Sequence, residues 1–375
     1  MLRDVSVTNE EKLVLFLSRL TFEERIADQI AAVLKGSISW DAVYRLSLTH
    51  GVASLLHHNS EKLGLNIPHE ARETFKAIYW ATLAHNIRLY DELEKLLNGL
   101  AQDGTDAMVL KGIPLCRVLY RDLGLRPNGD IDLLVRFDDV VRLAPSFRAM
   151  GYLPTGEDAE DLLRRKWFKT GFLKRNGFPG PVEVHWNWAQ PTRARPNMDL
   201  AWGRSEAVDL DGLPIRVLGP EDLLIYLCTH LSYHSFHIRL IWICDIHELI
   251  SQKGSTLDWS YVCREARRQR LQTPVFVTLN YLKGVFGTMI PVGTLKKVKI
   301  SELRSGYLKT FLDSDTLSYF RYPTDFWKRE LFRLFLIDRL PDRWRFSLAI
   351  LRNRTPLWRD VHKCPTGCLR VSQKT

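Results

Sequence analysis

Apolar residues recur at three- and four-residue steps through Glu10–Leu20 and Thr21–Leu34, the spacing of one buried helical face. Thr21-Phe-Glu-Glu predicts an N-cap followed by acids in the first turn. Ala71 to Leu100 repeats the helical pattern over a longer span, which Gly99 and Gly104 are expected to end. No strand-like alternation precedes Ala107, so the first hundred or so residues predict helices alone.

The period then changes. Ala107-Met-Val-Leu is a short apolar run that ends at Lys111-Gly112. Pro114 to Tyr120 predicts a helix with proline in its first turn, and Arg126-Pro-Asn-Gly129 has turn chemistry. Asp130 to Val135 predicts a strand, and Asp138 to Met150 a helix capped at Asp138 or Asp139. Gly171–Lys174 and Pro181–Trp186 predict two strands joined by a turn at 176–180. Ala207–Leu210, Asp211-Gly212 and Leu213–Leu218 predict a hairpin with an Asp-Gly turn. Pro220, followed by Glu221 and Asp222, opens a long apolar helix expected to run to about Ile250. Helices at Asp258–Gln269 and Pro274–Phe286 follow, then a stretch rich in Phe, Trp, Leu and Arg from Phe326 to Arg354. The pattern is that of an α+β chain in four parts: a helical region 1–105, a mixed α/β core 106–219, a helical region 220–325 and a tail 326–375.

Composition narrows the class. With 45% hydrophobic and 26% charged residues, the whole chain is neither disordered nor fibrous. No apolar run reaches the ~18 residues of a membrane span. Acids near Met1 stand where a signal peptide has its apolar stretch, and the six cysteines form no close-paired framework, so a reducing cytoplasm is expected. The net charge of +10 is concentrated at the end of the chain, where the segment from Arg343 carries +7. That tail suits weak contact with an RNA backbone or an anionic membrane surface, and equally a solvated basic helix. Cys364 and Cys368 lack a second pair at zinc-ligand spacing and read as ordinary thiols.

The sharpest feature is Asp130-Ile-Asp132 in an apolar strand. Alternation puts both carboxylates on one face, with Ile131, Leu133 and Val135 on the other. Like charges so placed resist burial, and a divalent cation between them removes the cost. Spacing alone is weak, since Asp209-Leu-Asp211 shares it within the expected hairpin. A second strand carries Glu183 and His185 on one face. A third carboxylate there completes a site for two metals ~4 Å apart; solvated strand acids are the plainer alternative.

Leu110-Lys-Gly-Ile-Pro, Arg126, Asp130-Ile-Asp-Leu-Leu-Val and a helix ending at Gly151-Tyr152 resemble the nucleotidyltransferase superfamily of the DNA polymerase β type. Val182-Glu-Val-His-Trp, the hairpin ending at Leu218-Gly-Pro-Glu-Asp and the His230–Asp245 helix resemble a branch of uncharacterised bacterial nucleotidyltransferase-like proteins. The resemblance covers 106–250. It implies a small mixed-sheet nucleotidyltransferase core flanked by N-terminal and C-terminal helical regions. It implies that Asp130 and Asp132 bind Mg²⁺ and that Glu183 is the third, catalytic carboxylate and metal ligand. The implied cofactor is a pair of Mg²⁺ ions, with Mn²⁺ as a substitute. Gly112 falls at the turn where backbone N–H groups meet phosphate. Many superfamily members carry Gly-Ser there; this chain has Lys111-Gly112-Ile113, with Lys111 read either as a replacement charge or as a surface lysine.

Further nucleotide-binding candidates are Arg126, as a bidentate fork or as a structural ion pair; His185, on phosphate or holding a neighbouring carboxylate; and His230. On one continuous helix His230, His234, His237, Asp245 and Glu248 form a polar stripe. It lines the site, makes a seam between regions, or holds zinc. The expected activity is transfer of a nucleoside monophosphate from a nucleoside triphosphate, ATP first among them. The acceptor is a hydroxyl or phosphate of a small molecule, peptide or RNA, and pyrophosphate is released. A catalytically degenerate nucleotide-, peptide- or RNA-binding module is the alternative. A metal-dependent glycosyltransferase ranks lower, because its motif follows a Rossmann-like half and the upstream residues here read as helical.

Overall fold

A computed structural model describes residues 7–155, 168–174, 180–191, 193–234, 239–310 and 326–352. Through Gln102 the described chain is helical, with elements at Asn9–Phe16, Glu24–Leu34, Trp40–His50, Ala53–Lys62 and His69–Gln102. Thr8 opens the first with a reciprocal capping box to Glu11. The second starts at Glu24, not at the expected Thr21 cap, and Glu23 at its N-cap makes no side-chain cap bond. The long helix continues past Gly99 to Gln102. Met150 packs where a Cβ on Gly99 would stand, so this glycine serves close packing and not termination.

Seven strands among the described residues form one mixed sheet in the order β3-β4-β5-β2-β1-β7-β6. They are β1 (Ala107–Val109), β2 (Ile131–Val135), β3 (Tyr152–Pro154), β4 (Lys169–Lys174), β5 (Val182–His185), β6 (Glu206–Leu210) and β7 (Leu213–Val217). β2 is central: it pairs antiparallel to β1 and parallel to β5. The β6–β7 turn places Asp211 at φ 52° and Gly212 at φ 93°, the left-handed pair that an Asp-Gly hairpin favours. The three-residue edge strand β3 is too short to leave an alternation signal.

Both faces of the sheet are covered, so β2 is buried at every position. On one face Ile131, Leu133, Val182 and Val184 pack with Leu89, Leu93 and Leu96 of the His69–Gln102 helix and Phe147 of the Val140–Ala149 helix. On the other, Met108, Leu110 and Leu134 join a larger core. That core includes Leu13, Val43 and Leu55 from the N-terminal helices and Leu224, Ile243 and Leu279 from later ones. Helices from both ends of the sequence therefore share one apolar interior over the face that carries the acids.

The long helix expected from Pro220 is two helices, Pro220–Tyr233 and Leu240–Lys253. His234 closes the first, so a single helical wheel does not apply across the break. Helices Trp259–Arg268, Gln272–Val285, Thr294–Lys297, Glu302–Lys309, Phe326–Leu336 and Leu340–Arg352 complete the described chain. No helix among the described residues is long and apolar enough to cross a membrane. Cys116, Cys228, Cys244 and Cys263 are buried free thiols. Cys364, Cys368 and the tail beyond Arg352 lie outside the described residues.

Candidate active site

Asp130 directly precedes β2, and Asp132 points from the strand toward the Pro220–Tyr233 helix with Leu134. β5 lies alongside in a register that sets Asp132 opposite Glu183 and Leu134 opposite His185. Strand neighbours sit ~4.8 Å apart, so alternation on two strands converges acidic side chains from distant sequence. One ligand atom each from Asp132, Glu183 and His185 lie within 4.8 Å of one another. His185 Nε2 is 3.1 Å from Asp132 Oδ1 and 3.5 Å from Glu183 Oε2.

Two lysines approach from the flanks. β4 runs antiparallel to β5 and places Lys169 opposite His185, its Nζ 2.5 Å from Glu183 Oε2. Lys111, just beyond β1, contacts Asp132 Oδ2 and lies 3.2 Å from Asp130 Oδ1. Its ammonium thus bridges the Asp-x-Asp pair where a cation is expected. Gly112 turns the chain at φ 84°, ψ −119°, a conformation that L side chains resist. A Cβ there would stand 3.5 Å from Asn128 Oδ1. Conformation, not crowding, therefore requires this glycine.

The cluster is closed at one end and open at the other. Asp132, Lys111 and His185 side chains are 1%, 9% and 7% exposed, whereas Asp130 and Glu183 are 33% and 29% exposed. Burial and the charge of Asp132 raise the Asp130 carboxyl above its ordinary range. Burial pushes Asp132 the same way, but the Lys111 ammonium and the His185 hydrogen bond outweigh it and hold its carboxyl low. Lys169 and His185 likewise overcome burial and keep Glu183 well below the usual range. Asp130 and Asp132 overcome burial at Lys111 and raise it well above an ordinary lysine. His185 is raised despite burial by its bonds to Asp132 and Glu183. Tyr226, 2% exposed, has no hydrogen-bond partner for its hydroxyl among the described residues. Burial and then Asp132 push that hydroxyl well above the tyrosine range.

The donor set fits a divalent ion. Carboxylate oxygens suit Mg²⁺, and a nearby imidazole nitrogen also admits Mn²⁺. His185 Nδ1 is buried without a hydrogen-bond partner among the described residues, which leaves Nε2 as the nitrogen directed at the carboxylates.

The expected residues do not all meet. Lys111, Asp130, Asp132, Glu183 and His185 come together beside Gly112. Of the two roles expected for Arg126, the structure shows the ion pair. It is 3% exposed, and its Nε and Nη2 donate to Asp245 Oδ1 and Oδ2 at 2.8 and 2.7 Å. A third donor goes to Asn128. Its fork is used inside the protein, on Asp245 and Asn128. The polar stripe also separates. His230 and His234 rings pack on Trp242 at 4.5 and 4.9 Å. Asp245 pairs with Arg126, and Glu248 accepts from Leu20 N at 2.8 Å. His237 lies outside the described residues. Burial, with His234, Lys111 and Lys169 nearby, pulls His230 well below the histidine range, so it borders the cluster as a neutral ring. Among the described residues, the one potential metal-holding group is that of Asp132, Glu183 and His185.

Lys169 and Tyr226 were not singled out from sequence. Lys169 becomes relevant only through the β4–β5 register. Tyr226 stands one turn before His230, so the helix face of that histidine was its available signal.

The family described as "uncharacterised nucleotidyltransferase" matches residues 36–287. A solved structure, "Crystal structure of an antigenic nucleotidyltransferase-like protein from Paracoccidioides brasiliensis", is similar at 14% identity and a TM-score of 0.32. The similarity covers 54% of this chain and 93% of that one. No curated protein matches. The family match spans the sheet, its acids and the helices on either side, and the chain belongs to the uncharacterised nucleotidyltransferase family.

Proposed function

We propose that the protein is a Mg²⁺- or Mn²⁺-dependent nucleotidyltransferase that moves a nucleoside monophosphate from a nucleoside triphosphate to a hydroxyl or phosphate acceptor and releases pyrophosphate. The observation that carries this reading is the convergence of Asp132, Glu183 and His185 within 4.8 Å, with Asp130 beside them at the open end. Asp130, Asp132 and Glu183 are the residues to hold metal. When bound, the metal would neutralise phosphate charge and lower the pKa of an acceptor hydroxyl.

The chain's own groups account for the rest. His185 fixes the Asp132 and Glu183 carboxylates by hydrogen bonds and sets their orientation. Lys111 and Lys169 neutralise the acids without substrate; once released they can act as point charges toward phosphate oxygens. The Gly112 turn sets the backbone beside Asp130 for a phosphate to approach. Catalysis of this type is mostly positioning and charge stabilisation. Two half-buried carboxylates at the rim, with Asp132 sealed behind them, suit that task.

One observation favours a second reading. The Lys111 ammonium already occupies the space between Asp130 and Asp132. A nucleotide-binding module that performs no transfer would need no metal there. The test is incubation of purified protein with labelled nucleotides, Mg²⁺ and a cell extract, beside Asp132→Ala. Label should pass to an acceptor with wild type and not with the variant, while circular dichroism stays the same. Equal labelling by both rejects the enzymatic reading. Nucleotide binding without pyrophosphate release selects the module.

A further inference from the structure

The acidic cluster contains one donor that is not a carboxylate oxygen. His185 is 5% exposed, and its Nε2 lies 3.1 Å from Asp132 Oδ1 and 3.5 Å from Glu183 Oε2. An octahedral ion with bonds of about 2.1 Å holds adjacent donor atoms about 3.0 Å apart. Both nitrogen–oxygen separations are close to that edge. One ligand atom from each of the three residues lies within 4.8 Å of the others, so small side-chain shifts suffice for all three to share an ion. Strand register fixes the arrangement: β5 runs parallel to β2 and sets Glu183 opposite Asp132 and His185 opposite Leu134. No loop contributes a donor to this group.

Nothing among the described residues draws the imidazole elsewhere. Nδ1 has no hydrogen-bond partner there. Lys111 contacts the opposite oxygen of Asp132, Oδ2, which leaves the Oδ1 side to His185. Lys169 shares Glu183 Oε2 at 2.5 Å, but its side chain is 27% exposed and has solvent to turn into. Without metal, Nε2 serves the carboxylates as a hydrogen-bond donor. With metal, the same nitrogen presents its lone pair in the same direction and the ring proton resides on Nδ1.

Ligand type decides which ion such a set prefers. Mg²⁺ is a hard ion that takes oxygen, whereas an imidazole nitrogen favours first-row transition ions. We propose that His185 is itself a metal ligand, together with Asp132 and Glu183, and that it makes the centre select Mn²⁺ over Mg²⁺. The inference rests on the acidic cluster being a metal site. It adds a nitrogen to the carboxylate ligands and decides between the two ions.

The experiment is titration of the full, metal-stripped chain with manganese chloride and, separately, magnesium chloride, without nucleotide. Affinity is read by calorimetry. Bound Mn²⁺ is read by pulsed electron paramagnetic resonance, in which a coordinated imidazole nitrogen modulates the echo. Mn²⁺ should bind about tenfold or more tighter than Mg²⁺ and show the nitrogen modulation. His185→Gln keeps an amide that can hydrogen-bond the carboxylates. It should lose the modulation and bring the two affinities within about threefold, chiefly by weakening Mn²⁺. Circular dichroism checks the fold of the variant, and the wild-type nitrogen signal is a test that needs no variant. Mn²⁺ bound to wild type without nitrogen modulation, or modulation and preference retained by His185→Gln, overturns the proposal. Those results leave the carboxylate reading standing, whereas failure of wild type to bind either ion removes both.

Discussion

Replacing Lys111 with methionine removes the ammonium that neutralises the Asp-x-Asp pair and keeps most of the side-chain volume. The magnitude follows from the geometry. At 3.2 Å from Asp130 Oδ1, each ammonium–carboxylate contact is worth about 5 kcal/mol before desolvation, at an effective dielectric constant near 20. Breaking a buried pair from one side typically costs about 3–5 kcal/mol. Here Asp130 is a third exposed and Asp132 keeps its His185 bond, so the low end, about 3 kcal/mol, applies. Asp132 is held low, so its contribution is present above the ordinary aspartate range and lost as pH falls through its folded value. Lys111 is held high, so its contribution is present below the ordinary lysine range and lost only as pH rises through its folded value. The wild-type advantage should therefore be full near pH 7.5. The assay is urea denaturation in EDTA and again with Mg²⁺ or Mn²⁺. Lys111→Met should lose about 3 kcal/mol in EDTA, and metal at a hundredfold excess over Kd should restore about 2.7 kcal/mol. The variant should also bind metal more tightly than wild type, because no ammonium has to be displaced. Equal stability of the two proteins in EDTA would refute the electrostatic reasoning. A loss in EDTA that metal does not repair would refute the carboxylates as its ligands.

Asp245→Asn should destabilise the fold by about 3 kcal/mol in chemical denaturation, because it leaves the Arg126 guanidinium buried without its carboxylate. The double variant with Arg126→Met should lose less than the sum of the single changes, and simple additivity would count against the pair. His247 is buried against Thr288, and burial, helped by Arg19, holds it down to about 3. Below the ordinary histidine value near 6.5 the unfolded chain takes up a proton that the folded chain refuses, so stability should drop by about 2 kcal/mol between pH 7 and 5. His247→Gln should remove that part of the pH dependence in paired denaturation curves, and identical slopes would contradict it.

Local periodicity made much of this protein legible. Alternation placed Asp130 with Asp132, and Glu183 with His185, on single faces because the strand repeat is two residues. The Asp-Gly hairpin and the Pro220 helix start were readable because each depends on backbone preferences of adjacent residues. Contacts at long range were not readable. Whether β5 lies beside β2, and in the register that meets Asp132 with Glu183, is a matter of sheet pairing. Arg126 offered no local sign of choosing Asp245, which lies 119 positions away. The helix expected to run to Ile250 breaks after Tyr233, since apolar composition continues through a change of direction. Sequence thus determined which side chains share a face within one element, a question of short-range geometry. Only the tertiary structure decided which faces meet and where Lys111 rests, because those depend on how separate elements pack and exclude water.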